Sequence, residues 1–162
     1  YNLDDPQLRD GYTGWRAYVQ SKLAATVLGV EAARRLAEHG VPVKSVIAHP
    51  GYSTSGRTEG IHGVNEPSRR KRFTDNLQAG FNQSKEQGAW PLVRAVADPY
   101  VESGEMWGPR FITRGEPRRV DVSKEASDPE LGTRVWELCE RTTAARWPFD
   151  KASRTRRRFF GG

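Results

Sequence analysis

One cysteine, one methionine and three histidines occur in 162 residues, and each scarcity excludes something. Cys139 has no internal partner, so the chain holds no internal disulfide, and a lone thiol in a helical pattern suits a small apolar packing role. That usage fits a reducing, cytoplasmic setting. His39, His49 and His62 are scattered, and with a single cysteine they make no metal-ligand spacing, so no metal site is expected. No apolar run approaches the roughly 20 residues needed to cross a bilayer, so no membrane span is expected. The first residues, Tyr-Asn-Leu-Asp-Asp-Pro, carry no basic-plus-apolar signal pattern and no initiator Met. They read as a chain that begins inside a longer protein. No internal repeat is present.

Hydrophobic residues make up 36% of the chain and the mean hydropathy is −0.76, on the polar side for a globular domain. Five Trp, six Phe and five Tyr nevertheless argue for a packed core rather than disorder. The net charge of +6 raises nucleic acid as a partner, but its distribution argues against it. Arg146, Lys151, Arg154, Arg156, Arg157 and Arg158 stand against Asp150 within residues 146–162, leaving almost no net charge for the rest. A basic tail over 146–162, solvated and disordered, sets the isoelectric point, and no nucleic-acid partner is expected.

Residues 1–14 read as a loop, with Pro6, Gly11 and Gly14. From Trp15 to about His39 the pattern is helical, with Tyr18, Leu23, Val27, Val30 and Leu36 among small alanines that allow close approach to a sheet or helix. Gly40 is a suitable stop. The β-branched run Val41–Ala48 follows, and its apolar end, Val46-Ile47-Ala48, suits an interior parallel strand. Helix followed by strand is the second half of a βαβ unit, which predicts an α/β sheet. Residues 56–82, with Arg69-Arg70-Lys71-Arg72, read as a polar loop that selects substrate or simply lies in solvent. Gln83 to about Ala97 is a second helix with Ala89, Leu92, Val93 and Val96 on one face, and Glu105–Gly108 is a short strand or turn. Asp128 to about Thr142 is a third helix, with Asp128 as N-cap, Pro129 at its first position and a stripe of Leu131, Val135 and Leu138.

Within the first helix, Tyr18 and Lys22 are four residues apart and so share a face. An ammonium beside a phenol favours the phenolate, and a tyrosine tuned downward this way exchanges a proton near neutral pH. Chance supplies the spacing about once in five such chains, so its surroundings decide its meaning. The helix leads into a strand that ends in His49-Pro50-Gly51-Tyr52-Ser53-Thr54-Ser55, and the carboxyl ends of such strands hold the ligand crevice of open α/β sheets.

This order resembles the C-terminal half of a short-chain dehydrogenase/reductase. The segments Trp15-Arg-Ala-Tyr18-Val-Gln-Ser-Lys22-Leu-Ala and Ala48-His-Pro-Gly-Tyr-Ser53 resemble the retinol-dehydrogenase-like and protochlorophyllide-reductase-like branch. So do Gln83-Ser-Lys-Glu-Gln-Gly88-Ala, Gly104-Glu-Met-Trp-Gly-Pro109 and Ser127-Asp-Pro-Glu-Leu131. The resemblance implies the C-terminal half of a Rossmann-type, doubly wound parallel sheet, with residues 1–145 as the C-terminal part of one NAD(P)-binding domain. It implies an NAD(P)-dependent oxidoreductase that interconverts an alcohol and a carbonyl, acting on a small molecule. Tyr18 would be the acid–base catalyst, and Lys22 would lower its pKa and bind the nicotinamide ribose. Pro50 and Gly51 would lie against the nicotinamide ring, and Ser55, with Ser53 and Thr54 nearby, would contact the carboxamide or a phosphate.

The family's Gly-rich phosphate turn, Asn-Ala-Gly stretch and catalytic serine precede the tyrosine helix and fall outside this sequence. The expectation is therefore a fragment, weak in cofactor affinity by itself, whose strand at 43–48 has one unpaired apolar edge. NAD and NADP are not distinguished, and homo-oligomer formation stays open. The competing reading is a non-catalytic remnant or interaction module on the same scaffold.

Overall fold

The computed structural model describes residues 1–53 and 83–147. The expectations for Thr54, Ser55, the loop at 56–82 and the tail beyond residue 147 lie outside the described residues. The elements are α1 (Gly14–Glu38), β1 (Ile47–Ala48), α2 (Lys85–Ala97), β2 (Met106–Pro109), β3 (Pro117–Val120) and α3 (Pro129–Thr143). The described residues fall into two compact units, one of residues 1–47, 102–105 and 121–147, the other of residues 48–53, 83–101 and 106–120.

In the first unit, α1 begins where the Thr13 hydroxyl accepts the Arg16 N–H at 3.1 Å. It ends as Gly40 suggests, at a positive φ of 62°. Gly40 N–H donates to Ala37 C=O and Val41 N–H to Leu36 C=O, a Schellman closure in which Val41 also packs on the Leu36 cluster. The core forms between α1 and α3. Val27, Ala126, Leu131 and Val135 are buried together, with Leu23, Leu28, Val122 and Cys139 packed around them. Each fully buried aliphatic side chain here contributes about 1.5–3 kcal/mol. The thiol thus has the packing role expected of it.

A charge is buried in the same interface. Glu31 is only 2% exposed, and Gly132 of α3 makes the room, since a Cβ there would lie 3.0 Å from the carboxylate. Burial alone would raise the Glu31 pKa. Arg34, bonding both oxygens at 2.7 and 2.5 Å, and Arg35, at 2.6 Å, outweigh it and hold the carboxyl below its usual value.

The small residues of α1 do bring it close to a strand. A Cβ at Gly29 would lie 2.6 Å from Ile47 Cγ1, and the Gly29 carbonyl accepts the Ser45 hydroxyl at 2.8 Å. Only Ile47–Ala48 of the expected 41–48 run joins the ladder. Residues before it bond elsewhere: Val43 N–H turns back to Val41 C=O, and Ser45 pairs with Ser103 and Gly104.

The sheet has three strands in the order β1–β2–β3, which leaves β1 at an edge among the described residues. Ile47 N–H donates to Glu105 C=O and His49 N–H to Trp107 C=O, so the bonds advance the same way on both strands and β1–β2 is parallel. The all-parallel expectation fails at the next strand. β2 and β3 are antiparallel, with Met106 opposite Val120 and Pro109 opposite Pro117. Only seven residues separate the two strands, enough for a hairpin but too few for a crossover.

In the second unit, Ser84 caps α2 and forms a capping box with Gln87. The helix packs through Gly88 and Pro91, while Leu92, Val93 and Val96 of the expected apolar face are exposed. Arg94 spans from Asp98, at 2.6 Å, to the Trp107 ring, 5.0 Å from its centroid.

Two glycines of α1 should respond oppositely to alanine. Gly14 has open space around its missing Cβ, so Gly14→Ala should stabilise by about 0.5 kcal/mol through reduced backbone entropy. Gly29→Ala should destabilise by about 1 kcal/mol net, because overpacking against Ile47 at about 2 kcal/mol exceeds the helix-propensity gain. Thermal unfolding of the two variants checks the opposite signs.

Candidate active site

The candidate residues lie in two groups, one in each unit. In the first unit, α1 carries Tyr18 and Lys22 on one face, with the Lys22 ammonium 5.7 Å from the centre of the Tyr18 ring. Trp15, one turn earlier, stacks on Tyr18 with ring centres 6.0 Å apart at 22°. The buried residues of α1 begin only at Val27, so its first turns, with Tyr18 at 56% exposure, stand free of the core. Among the described residues no hydrogen bond or ion pair occupies the phenol oxygen or the ammonium, although their backbone carbonyls accept from Ser21 and Thr26. A proton donor–acceptor and a cation are thus held together at a solvent-facing turn, available to a ligand.

The second group is the strand end, His49 to Ser53. Gly51 adopts a positive φ of 67°, and a Cβ there would lie 2.5 Å from the Thr113 carbonyl, so glycine is required on both counts. Tyr52 N–H donates to the same Thr113 carbonyl at 2.8 Å. Ser53 forms an isolated parallel bridge with Gln83 and faces Gly88, whose added Cβ would lie 3.1 Å from Ser53 Cβ. Pro50, Gly51 and Ser53 are therefore fixed by their neighbours, while Ser55 lies outside the described residues.

His49 is packed and hydrogen-bonded, as a non-catalytic reading expects. Its Nδ1 accepts the Gly51 N–H at 3.3 Å, and its Nε2 occupies the space that any side chain at Gly108 would need. Burial pushes the pKa of this imidazole down. The neutral ring is the form that leaves Nδ1 free to accept.

Sequence reasoning missed two contributors. Gly108 was visible only as part of Gly104–Pro109, and its need for glycine comes from a ring 59 positions away. Gln83 was read as a helix start, yet it is 3% exposed and bonded to both neighbouring turns. Among the described residues no group of His, Cys, Asp and Glu could hold a metal, and no helix is long and apolar enough to cross a membrane.

Comparison with known proteins adds to this geometry. No family model matches the chain. It is 33% identical over 144 residues to polyprenol dehydrogenase of Mus musculus, across 89% of this chain and 40% of that protein. It is 28% identical over 158 residues to a Streptomyces lividans protein named as an oxidoreductase, across 90% of this chain and 51% of that one. The chain is similar to oxidoreductases. A crystal structure of an uncharacterised protein from Mycobacterium paratuberculosis matches with a TM-score of 0.66 at 30% identity, over 91% of this chain and 46% of the other. This chain thus spans about half, or less, of the length of these relatives. The likeness supports a partial Rossmann-like α/β fold.

His49 gives a pH prediction with a definite sign. A histidine whose folded pKa is lowered contributes stability fully above its unfolded value, near 6.5, and loses it as pH falls through the folded value. Thermal stability should therefore drop on acidification below about pH 6.5, and His49→Asn should flatten that part of the profile. Gly108→Ala should destabilise by about 2 kcal/mol at neutral pH, measured by denaturant unfolding.

Proposed function

We propose that the protein is an NAD(P)-dependent oxidoreductase of the short-chain dehydrogenase/reductase type, in the retinol-dehydrogenase-like and protochlorophyllide-reductase-like branch. Residues 1–145 form the C-terminal part of its nucleotide-binding domain, in a doubly wound sheet. It interconverts an alcohol and a carbonyl, with Tyr18 exchanging the proton. The observation that carries this reading is the exposed phenol–ammonium pair on α1, with the Lys22 ammonium 5.7 Å from the Tyr18 ring. The names of the curated relatives support it, and polyprenol dehydrogenase supports an alcohol as one member of the substrate pair.

The donor set suits a nicotinamide dinucleotide. Lys22 offers three N–H donors to ribose hydroxyls, Ser53 a hydroxyl, and Pro50–Gly51 a stretch of backbone without bulky side chains for a flat ring. Ser55 is a further donor in this reading. When bound, the cofactor supplies or receives the hydride. In the reductive direction Tyr18 Oη gives its proton to the oxygen of the substrate carbonyl as the carbon receives hydride, and the Lys22 ammonium stabilises the phenolate left behind. In the oxidative direction the phenolate takes the hydroxyl proton. Stacking by Trp15 restrains the swing of the Tyr18 side chain, which favours a fixed proton-transfer geometry.

The test is Tyr18→Phe in the intact native protein. Loss of the hydroxyl removes a proton-transfer step contributing about 10²–10⁴-fold, so kcat should fall by that range while the nicotinamide cofactor binds with nearly unchanged affinity. Turnover within a few-fold of wild type would refute the assignment.

A further inference from the structure

Gln83 performs a task that neither the site residues nor the fold requires of a helix-flanking glutamine. Its side chain is 3% exposed and uses both ends of its amide. Nε2 donates to the Pro50 carbonyl at 2.5 Å, and Oε1 accepts the Gly115 N–H at 3.1 Å. Its backbone N–H donates to the Tyr52 carbonyl at 3.0 Å. One residue therefore bonds the strand end on both sides of Gly51 and ties it to the β2–β3 turn. That turn holds the strand end from its other side, through Thr113 C=O and Tyr52 N–H. The turn also carries strain, because the β-branched Ile112 adopts a positive φ of 66°. The next residue, Ser84, caps α2, so the clamp is anchored to a helix.

We infer that Gln83 is a positioning residue for the cofactor: its buried amide clamps the Pro50 carbonyl to the 113–115 turn and so fixes the backbone of Pro50–Gly51 against the nicotinamide ring. This rests on the function proposed above, which places that backbone against the ring. Removing the amide leaves a carbonyl and an N–H without their partner in a part-buried site, and the turn shifts to find new ones. A shift of about 1 Å in a residue aligning a reactant is enough to be felt at the reaction. Among the described residues no other side chain bonds the Pro50 carbonyl.

The test compares two ligands in the intact native protein. NAD or NADP carries the nicotinamide ring, whereas ADP-ribose (or its 2′-phosphate) lacks it and keeps the rest. Gln83→Leu, which conserves volume, should weaken the dinucleotide about tenfold and leave the ring-less ligand within twofold. Gln83→Glu retains the acceptor for Gly115 and loses the donor to Pro50, so it should show the same selective loss and serves where the leucine variant fails to fold. Amide exchange at Gly115 should accelerate in Gln83→Leu and much less in Gln83→Glu. Equal weakening of both ligands, or of neither, overturns the positioning role. A wild-type protein that binds neither dinucleotide and ignores Tyr18→Phe overturns the proposed function and this inference with it. Loss of turnover in Tyr18→Phe with an indifferent Gln83 overturns this inference alone.

Discussion

The His49 ring occupies the volume that a side chain at position 108 would need, and the shape of the strand end follows from that contact. With glycine at 108, the imidazole can turn inward, become half-buried and present Nδ1 to the Gly51 N–H. The turn at Gly51 then brings its backbone against Thr113 with no room for a Cβ. Burial favours the neutral ring by pushing its pKa down, and neutrality preserves the acceptor. A residue that resembles a catalytic base by type therefore acts as a spacer and a hydrogen-bond acceptor. Its environment assigns that role.

The two units manage polar burial in different ways. In the first, a full carboxylate is buried at the α1–α3 interface and two arginines from its own helix supply the compensation. The pair stays local because positions three and four apart share a helix face. In the second, the buried polar residue is the neutral Gln83, and it bonds backbone groups far away in sequence. A neutral amide offers a donor and an acceptor at once, which suits joining two turns with opposite needs.

Helix ends, and the core faces of α1 and α3, were legible in the sequence. Asp128 with Pro129, and Gly40 after the α1 pattern, depend on local backbone geometry, and the structure follows each to within a residue or two. Tyr18 and Lys22 shared a face for the same reason. The sheet was less legible. The β3 segment, Pro117-Arg-Arg-Val120, has no apolar alternation, and it is a strand because β2 lies beside it. The apolar positions of α2 suggested a buried stripe, yet the helix packs through Gly88, whose missing Cβ leaves room for Ser53, and through the fully buried Pro91 ring.

The sequence by itself determined the local and periodic features: three helices, the Gly40 stop and the Asp128 cap, an α/β order, a phenol and an ammonium on one face, and a strand closed by Pro50-Gly51. These depend on interactions within about five residues, which a linear pattern encodes directly. Tertiary structure decided the direction of each strand, the burial of His49 and Glu31, and the bonds of Gln83. Each depends on which distant backbone group has an unmet donor or acceptor and on where a missing Cβ leaves space. Those are properties of packed neighbours, and no residue spacing carries them.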